Sequence, residues 1–174
     1  YESAKAIALD NFTTVLQELQ GKVALVLLDG APGVSQEAVT IIHAVDFVVL
    51  VTTPDIAAVS DARKTAKMAR EQHKTVLGVI VNRVRGEEHE IDSHSIEAFL
   101  EAPVLGTVPE DPAVRTAYQL KGPVVYIHPE SEVAFAYKKL AAALVGENYQ
   151  TSVEKKKLPS LGHDILAGWN IVKK

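Results

Sequence analysis

Short runs of Val, Ile and Leu alternate with segments of helical periodicity along most of the chain. The runs predict strands at Val23–Leu28, Phe47–Val51, Thr75–Val81, Val104–Val108 and Val124–Ile127. The segments between them predict helices at residues 3–20, which Gly21 would end, and at Gln36–Ala44, Ile56–Gln72, Ser93–Glu101, Val114–Leu120 and Glu132–Leu144. Uninterrupted apolar strands are typical of a sheet that helices cover on both faces. The pattern therefore predicts an α/β fold with a mostly parallel sheet flanked by helices.

The composition changes near residue 147, where polar and basic side chains replace apolar ones. We expect one packed domain over residues 1–146, a linker over 147–160 and a separate tail over 161–174. Four apolar residues of the tail fall on one side of a helix that lysines flank at both ends: Leu161, Ile165, Trp169 and Val172. Such a helix can lie on a membrane surface or fold back onto the domain, and the sequence favours neither.

The composition limits the classes of protein to which this chain can belong. The 174 residues suit one domain with its own core. The absence of cysteine excludes disulfides, thiolate zinc sites and cysteine-ligated iron-sulfur clusters from this chain. No apolar run reaches about 18 residues and no signal-peptide pattern is present, so we expect a cytoplasmic protein, with peripheral membrane contact left open by the tail. The net charge is −4 although five lysines lie in residues 151–174, and an acidic body disfavours a specific nucleic-acid partner.

Candidate chemistry follows the strands, because ligands of parallel sheets bind beyond the carboxyl ends of the strands. Asp29 follows the first apolar run and could hold a water of a nucleotide-bound Mg²⁺. Gly30 and Gly33 follow it and could turn backbone amides toward a γ-phosphate. The alternative is that Asp29 caps the next helix and the glycines serve only the turn.

Two later turns carry groups that suit a purine. Asn82 and Arg83 end the third predicted strand, and an asparagine amide both donates and accepts hydrogen bonds at the edge of a base. The stiff loop Pro109, Glu110 and Asp111 could present backbone groups to the same ring. The alternatives are a strand-ending asparagine and a loop that only starts a helix, with Pro112 at its first position.

Taken together, these turns resemble the MinD group of the MinD/ParA deviant-Walker P-loop ATPases. The resemblance spans residues 23 to about 145 and consists of blocks in one order: Asp29-Gly30-Ala31-Pro32-Gly33, Val51-Thr52-Thr53-Pro54-Asp55, Gly78-Val79-Ile80-Val81-Asn82-Arg83 and Val108-Pro109-Glu110-Asp111-Pro112. Two positions depart from the family pattern. Ala31 precedes Pro32 where the family usually has proline first, and Asp55 stands where relatives often have Glu.

The resemblance implies roles for these residues. Asp29 would be the Walker B aspartate, which holds magnesium indirectly, and Gly30 to Gly33 would be switch II. Asn82, Arg83 and the loop Pro109, Glu110 and Asp111 would hold the adenine. Asp55 and Asp61 would lie near the face that pairs two nucleotide-bound subunits. The parent protein would use ATP or ADP with Mg²⁺, and MinD relatives end in a short lipid-binding helix, which the tail resembles.

No Gly-x-x-x-x-Gly-Lys-Ser/Thr loop is present in the 174 residues. We therefore expect a carboxyl-terminal portion of such an ATPase that binds no nucleotide and hydrolyses none by itself. The portion of the family that precedes the resemblance includes the strand between the first two predicted strands. A P-loop segment or a second polypeptide is expected to complete the sheet.

The function implied is an ATP-dependent dimerisation switch that positions the cell-division site or a related membrane process. Its expected partners are a second copy on ATP binding, a membrane surface or a MinD partner protein. The alternatives are a non-hydrolysing scaffold of the same fold and a ParA-like partitioning ATPase. An electron-transfer ATPase of the nitrogenase-iron-protein branch is disfavoured by the lack of cysteine.

Overall fold

A computed structural model describes residues 14–19, 21–31, 33–147 and 149. Residues 14–19 are helical (α1), and Gly21 after them adopts the left-handed conformation with φ +79°. The N–H of Lys22 donates a 2.9 Å hydrogen bond to the Leu19 carbonyl. Glycine is favoured there because a Cβ would strain a positive φ. The predicted end of the first helix is confirmed.

The other elements follow in strict alternation as far as the third strand. They are α2 (Gln36–Ala44), β1 (Phe47–Thr52), α3 (Ile56–Glu71), β2 (Thr75–Val84), α4 (Ser93–Leu100), β3 (Val104–Pro109), α5 (Pro112–Gln119), α6 (Val124–Ile127) and α7 (Glu132–Leu144). The strands form one parallel sheet in the order β1-β2-β3, flanked by helices. The predicted α/β fold is confirmed.

Residues 23–28, predicted as the first strand, form no strand in the structure. Leu25 and Leu27 in this run are 54% and 78% exposed, so the run is not part of the core. A strand is stable only where its N–H and C=O groups find partners, and no strand among the described residues pairs with this run. The apolar composition of the run was therefore insufficient to make it a strand.

Residues 124–127 form the short helix α6, so the strand predicted there is wrong. The N–H of Ile127 donates to the Pro123 carbonyl over 3.1 Å, and α6 packs against α5 and α7. A Cβ added at Gly122 would lie 2.9 Å from Ile127 Cδ1, so the chain turns tightly here. A four-residue apolar run suits either a strand or a buried helical turn, and the helical neighbours decide between them.

The chain divides into two compact units. Within the described residues, the first comprises 14–19, 21–31 and 33–80 with Ile91–Val104, and its best buried side chains include Val59, Ile96 and Leu100. Arg70 Nη2 donates to the carbonyls of Leu100 and Glu101 over 2.9 and 2.8 Å. A cation at these orphan carbonyls ties the C-terminus of α4 to α3.

Within the described residues, the second unit comprises Val81–Glu90 with residues 105–147 and 149. Its buried side chains include Val108 and Val133. A Cβ at Gly106 of β3 would lie 2.8 Å from Leu140 Cδ2 of α7, so glycine permits the close approach of this helix to the strand.

The predicted tail lies outside the described residues, and so does most of the predicted linker. This applies to the four residues expected to contact a membrane: Leu161, Ile165, Trp169 and Val172. None of the helices that the structure describes has both the length and the apolar character that crossing a bilayer requires.

Candidate functional site

The predicted Walker B residue Asp29 is exposed at the end of the apolar run 23–28. The cap of the next helix is Ser35, whose Oγ accepts a 3.2 Å hydrogen bond from the N–H of Ala38. The alternative role of Asp29 as a helix cap is therefore not seen. Its exposed carboxylate is accessible to a hydrated cation.

The two glycines of the predicted switch II differ in how strictly their positions require glycine. Gly33 has φ +81°, a conformation that disfavours any other residue, whereas a Cβ at Gly30 would meet Ile41 at an ordinary 3.8 Å. The Thr65 hydroxyl of α3 lies 3.5 Å from the Gly33 carbonyl and 3.2 Å from the Asp61 carbonyl. Gly33 is thus the residue on which the backbone path of this turn depends.

The predicted dimer-face residues Asp55 and Asp61 lie at and near the start of α3. Asp55 is its N-cap, accepting from Ala58 N–H over 2.9 Å and from the Thr53 hydroxyl. The Thr53 hydrogen bond and then the Ala58 N–H lower the pKa of the Asp55 carboxyl below its usual range. Asp61 Oδ1 lies 2.8 Å from Lys64 Nζ in an exposed ion pair. Both carboxylates have local partners on this helix.

In the second unit, Asn82 and Arg83 lie at the carboxyl end of β2. The Oδ1 atom of the half-buried Asn82 accepts a 3.0 Å hydrogen bond from the Arg83 N–H. Arg83 is exposed and has φ +56°, which is uncommon outside glycine. Within the described residues, no hydrogen bond uses the Asn82 Nδ2 group, and Oδ1 keeps a second lone pair. The two N–H donors of Nδ2 and one lone pair of Oδ1 therefore remain for a ligand.

Of the predicted loop, Pro109 is the last residue of β3, and Glu110 and Asp111 follow it and lead into α5. The Asp111 carboxylate caps α5 through a 2.8 Å hydrogen bond from Ala113 N–H, and Pro112 begins the helix as predicted. The Glu110 N–H donates to the Val84 carbonyl over 2.9 Å. The Glu110 carboxylate lies 3.5 Å from Arg85 Nη2. Both side-chain carboxylates of the loop are thus already committed within the protein.

What the loop leaves for a ligand is its backbone. No hydrogen bond within the described residues uses the Glu110 carbonyl or the Asp111 N–H. The Glu110 carbonyl and the Asp111 N–H belong to one trans peptide group and point in opposite directions, so only one of them can face a base edge. Of the two, the N–H suits the ring-nitrogen acceptor of adenine, which in guanine carries a hydrogen. The groups that this part of the structure leaves for a base are therefore the Asp111 N–H and the Asn82 amide.

The predicted residues lie in two groups. Asn82, Arg83, Pro109, Glu110 and Asp111 belong to the second unit, and the structure brings the ends of β2 and β3 together there. Asp29, Gly30, Gly33, Asp55 and Asp61 belong to the first unit.

Sequence reasoning missed Arg85, whose side chain pairs with Glu110 of this loop, and Glu90, which binds the backbone of Arg85. Glu90 Oε1 accepts from Arg85 N–H over 2.9 Å, and Oε2 accepts from Gly86 N–H over 2.8 Å. The acidic stretch around Glu90 resembles an ordinary solvated loop, and only the glycine four residues earlier hints at a turn that needs an acceptor. No group of three or more His, Asp or Glu side chains within the described residues could hold a metal ion by itself.

The family comparison decides the identity of the chain. A family model described as NUBPL iron-transfer P-loop NTPase, of the ParA group, matches residues 4–145. The chain belongs to the ParA family of P-loop NTPases. The resemblance of its turns to MinD is confirmed by relatives and solved structures of the same family.

Three ParA-family proteins illustrate the range of relatives. An ATP-binding protein of Methanocaldococcus jannaschii is 36% identical over 143 residues, covering 82% of this chain and 54% of the relative. The septum site-determining protein MinD of Pyrococcus horikoshii, solved with Mg-ADP, has a TM-score of 0.70 and 30% identity, covering 76% of this chain and 54% of that chain. An iron-sulfur cluster carrier protein of Aquifex aeolicus is 31% identical over 136 residues, covering 71% of this chain and 37% of the relative.

The chain spans about half the length of the first ParA-family relatives it matches, 54% and 55% of two Methanocaldococcus jannaschii proteins. The relatives include both septum-site proteins and iron-sulfur carriers. Membership therefore establishes the nucleotide-binding fold family, and the biological process is a separate question.

Proposed function

We propose that this chain forms the base-holding and phosphate-sensing part of an ATP-dependent dimerisation switch of the MinD type. The observation that carries the proposal is the free Asn82 amide at the end of β2 together with the free Asp111 N–H after β3. These groups match the hydrogen-bonding edge of adenine. The 30% identical MinD relative solved with Mg-ADP supports the nucleotide class.

Asp29, Gly30 and Gly33 have the phosphate-sensing role in this proposal. The exposed Asp29 carboxylate would hold a water of Mg²⁺, which when bound neutralises charge on the nucleotide phosphates. Gly33, already at φ +81°, would let the switch backbone turn toward or away from a γ-phosphate. Asp55 and Asp61, exposed on α3, would face the second subunit of a homodimer.

Hydrolysis would require a Walker A loop that the 174 residues lack. We propose that a P-loop segment or a second chain completes the sheet beside β1. This strand lies at one end of the sheet, and Phe47 and Val51 on it are 53% and 62% exposed. Apolar surface of this kind beside an unpaired strand edge favours a strand partner. A membrane surface met by residues 161–174, or a MinD partner protein, would be the target of the switch.

A second candidate is a part in iron-sulfur carriage. The description of the family model and the relative from Aquifex aeolicus favour it. This chain supplies no cysteine ligand, so a cluster would have to be held by another polypeptide or segment. For the MinD-type switch, by contrast, the groups proposed to hold the base all belong to this chain.

Adenosine tests the base-holding groups without involving the missing phosphate loop. Because adenosine makes no phosphate contacts, it should bind weakly. We expect a dissociation constant of about 1 mM, which corresponds to a binding free energy of about −4 kcal/mol. The measurement is a titration of the ¹⁵N-labelled chain with adenosine and, separately, guanosine, following the amide resonances of Asn82 and Asp111 by NMR. Saturable shifts with adenosine, weakened by Asn82→Asp, are expected.

Gln119→Glu, an exposed amide-to-acid change on α5, is the matched control and should leave the titration unchanged. Equal responses to adenosine and guanosine, or none to either, would contradict the proposal.

A further inference from the structure

Glu90 joins two consecutive backbone groups in the segment that follows β2. The strand ends at Val84, so the N–H groups of Arg85 and Gly86 have no strand partner. The two Glu90 carboxylate oxygens accept these N–H groups at 2.9 and 2.8 Å, and Gly86 permits the turn with φ +74°. Hydrogen bonds to an ionised acceptor are stronger than neutral ones. They also favour the charged form, and the Arg85 N–H is the largest cause of the lowered pKa of Glu90.

Arg85 continues this connection to the loop after β3. Its Nη2 atom lies 3.5 Å from a carboxylate oxygen of Glu110, whose own N–H is bonded to the Val84 carbonyl over 2.9 Å. The loop is therefore attached to the end of β2 at two points, one through the backbone and one through the Arg85 side chain. The backbone of Arg85 is in turn held by Glu90.

We propose that Glu90 is a positioning residue for adenine recognition, which acts through Arg85 and Glu110 on the loop that presents the Asp111 N–H. This inference rests on the proposed function. Without Glu90, Arg85 loses its backbone support, and the ion pair that holds the loop from the side would sample other geometries. Base discrimination depends on the relative placement of the Asp111 N–H and the Asn82 amide, so it should weaken.

The surrounding acidic residues supply a matched control. Asp92 caps α4, and Glu87 lies 3.0 Å from His89, but Glu88 makes no hydrogen bond or ion pair within the described residues. Glu88→Gln removes the same charge from the same segment as Glu90→Gln. Gln at position 90 keeps one carbonyl acceptor and replaces the other by an N–H₂ donor, so one of the two bonds is lost.

The experiment compares adenosine and guanosine titrations of the full chain by NMR for the wild type, Glu90→Gln and Glu88→Gln. Glu90→Gln should shift the amide resonances of Arg85 and Gly86 and weaken adenosine binding by about threefold to tenfold, the range expected for one charged hydrogen bond acting indirectly. The preference for adenosine over guanosine should fall with it. Glu88→Gln should match the wild type in both titrations. A purely structural role for Glu90 would lower thermal stability and leave the adenosine preference intact.

Arg85→Lys and Arg85→Ala form a second pair, which tests the same connection even if Glu90→Gln does not fold. Lysine retains a cation for Glu110 and should keep more of the adenosine preference than alanine does. Equal affinities and preferences for wild type and Glu90→Gln, or for Arg85→Lys and Arg85→Ala, would overturn the positioning role while leaving the proposed function intact. Failure of the wild-type chain to bind adenosine would overturn the proposed function first, before any variant is measured.

Discussion

The N–H of Glu110 donates a 2.9 Å hydrogen bond to the carbonyl of Val84. This contact links the residue after β3 to the last residue of β2, although 26 positions separate them in sequence. It brings the two turns that the sequence assigned to adenine into one unit of the structure. The Asp111 N–H, which the proposal assigns to the base, lies in the next peptide beyond it. The contact therefore joins the two turns, which motif order alone did not do.

The 174-residue chain should release no phosphate from Mg-ATP above the buffer background. The physical reason is that no Walker A loop is present to hold and orient the phosphates. Phosphate release measured on the purified chain checks this, with Asp29→Ala prepared in parallel. Turnover that Asp29→Ala abolishes would contradict the prediction, whereas equal traces of activity in both would indicate a contaminant.

Leu100→Ala should destabilise the chain by about 2–5 kcal/mol, because Leu100 is fully buried and its removal leaves a cavity. Leu27→Ala makes the same chemical change at a side chain that is 78% exposed, and should alter stability by less than about 0.5 kcal/mol. Urea denaturation of both variants measures the difference. A large loss for Leu27→Ala would mean that the run 23–28 is packed in solution as a strand.

Ser131→Ala should cost about 1 kcal/mol of stability. Ser131 is the N-cap of α7, and its Oγ accepts from Ala134 N–H over 3.3 Å and donates to the His128 carbonyl over 2.7 Å. Thr116→Ala in the same unit is the control, since Thr116 is exposed inside α5 and bonds only its own helix. Alanine is the better helix former, so this control should be neutral or slightly stabilising in the same denaturation assay.

We expect the contribution of Asp55 to the stability of the chain to decrease at acid pH. Its pKa in the folded state is lowered from the ordinary 3.8 by the Thr53 hydroxyl and then by Ala58 N–H. A lowered folded pKa means that the stabilisation is present above pH 3.8 and is lost as the pH falls through the folded value. The stability difference between wild type and Asp55→Asn should therefore shrink below about pH 4.

Thermal denaturation of both proteins at a series of pH values from neutral to acid measures this dependence. Asp55→Ser, a second cap that does not titrate, should behave like Asp55→Asn. A wild-type advantage that stays constant as the pH falls would show that the Asp55 carboxylate is not responsible.

The helices and the three strands of the sheet could be predicted because each is specified locally. Ser35, Asp55 and Ser131 each cap a helix that follows them directly, and the apolar periodicity of each helix is visible in sequence. The two incorrect strands had the right composition but lacked what a strand needs from elsewhere in the chain. Residues 23–28 have no strand partner among the described residues, and residues 124–127 pack between helices.

The candidate site, like the fold, could be predicted only in part from the sequence. The types of residue at Asn82 and at the loop after Pro109 pointed to a purine, and their order pointed to the family that residues 4–145 match. The Asp111 cap on Ala113 is a local contact that the helix-start alternative anticipated. The partner of the Glu110 carboxylate could not be inferred, because only the folded chain brings Arg85 within reach.

The sequence by itself determined the family, the alternation of helix and strand, and the absence of a Walker A loop in these residues, because motifs, periodicity and capping act over a few neighbouring positions. Only the tertiary structure decided that the end of β2 meets the loop after β3, that Glu90 supports Arg85, and that the first apolar run is left without a sheet. Strand pairing and loop attachment join residues far apart in the chain. Their free energy depends on partners that no local pattern encodes.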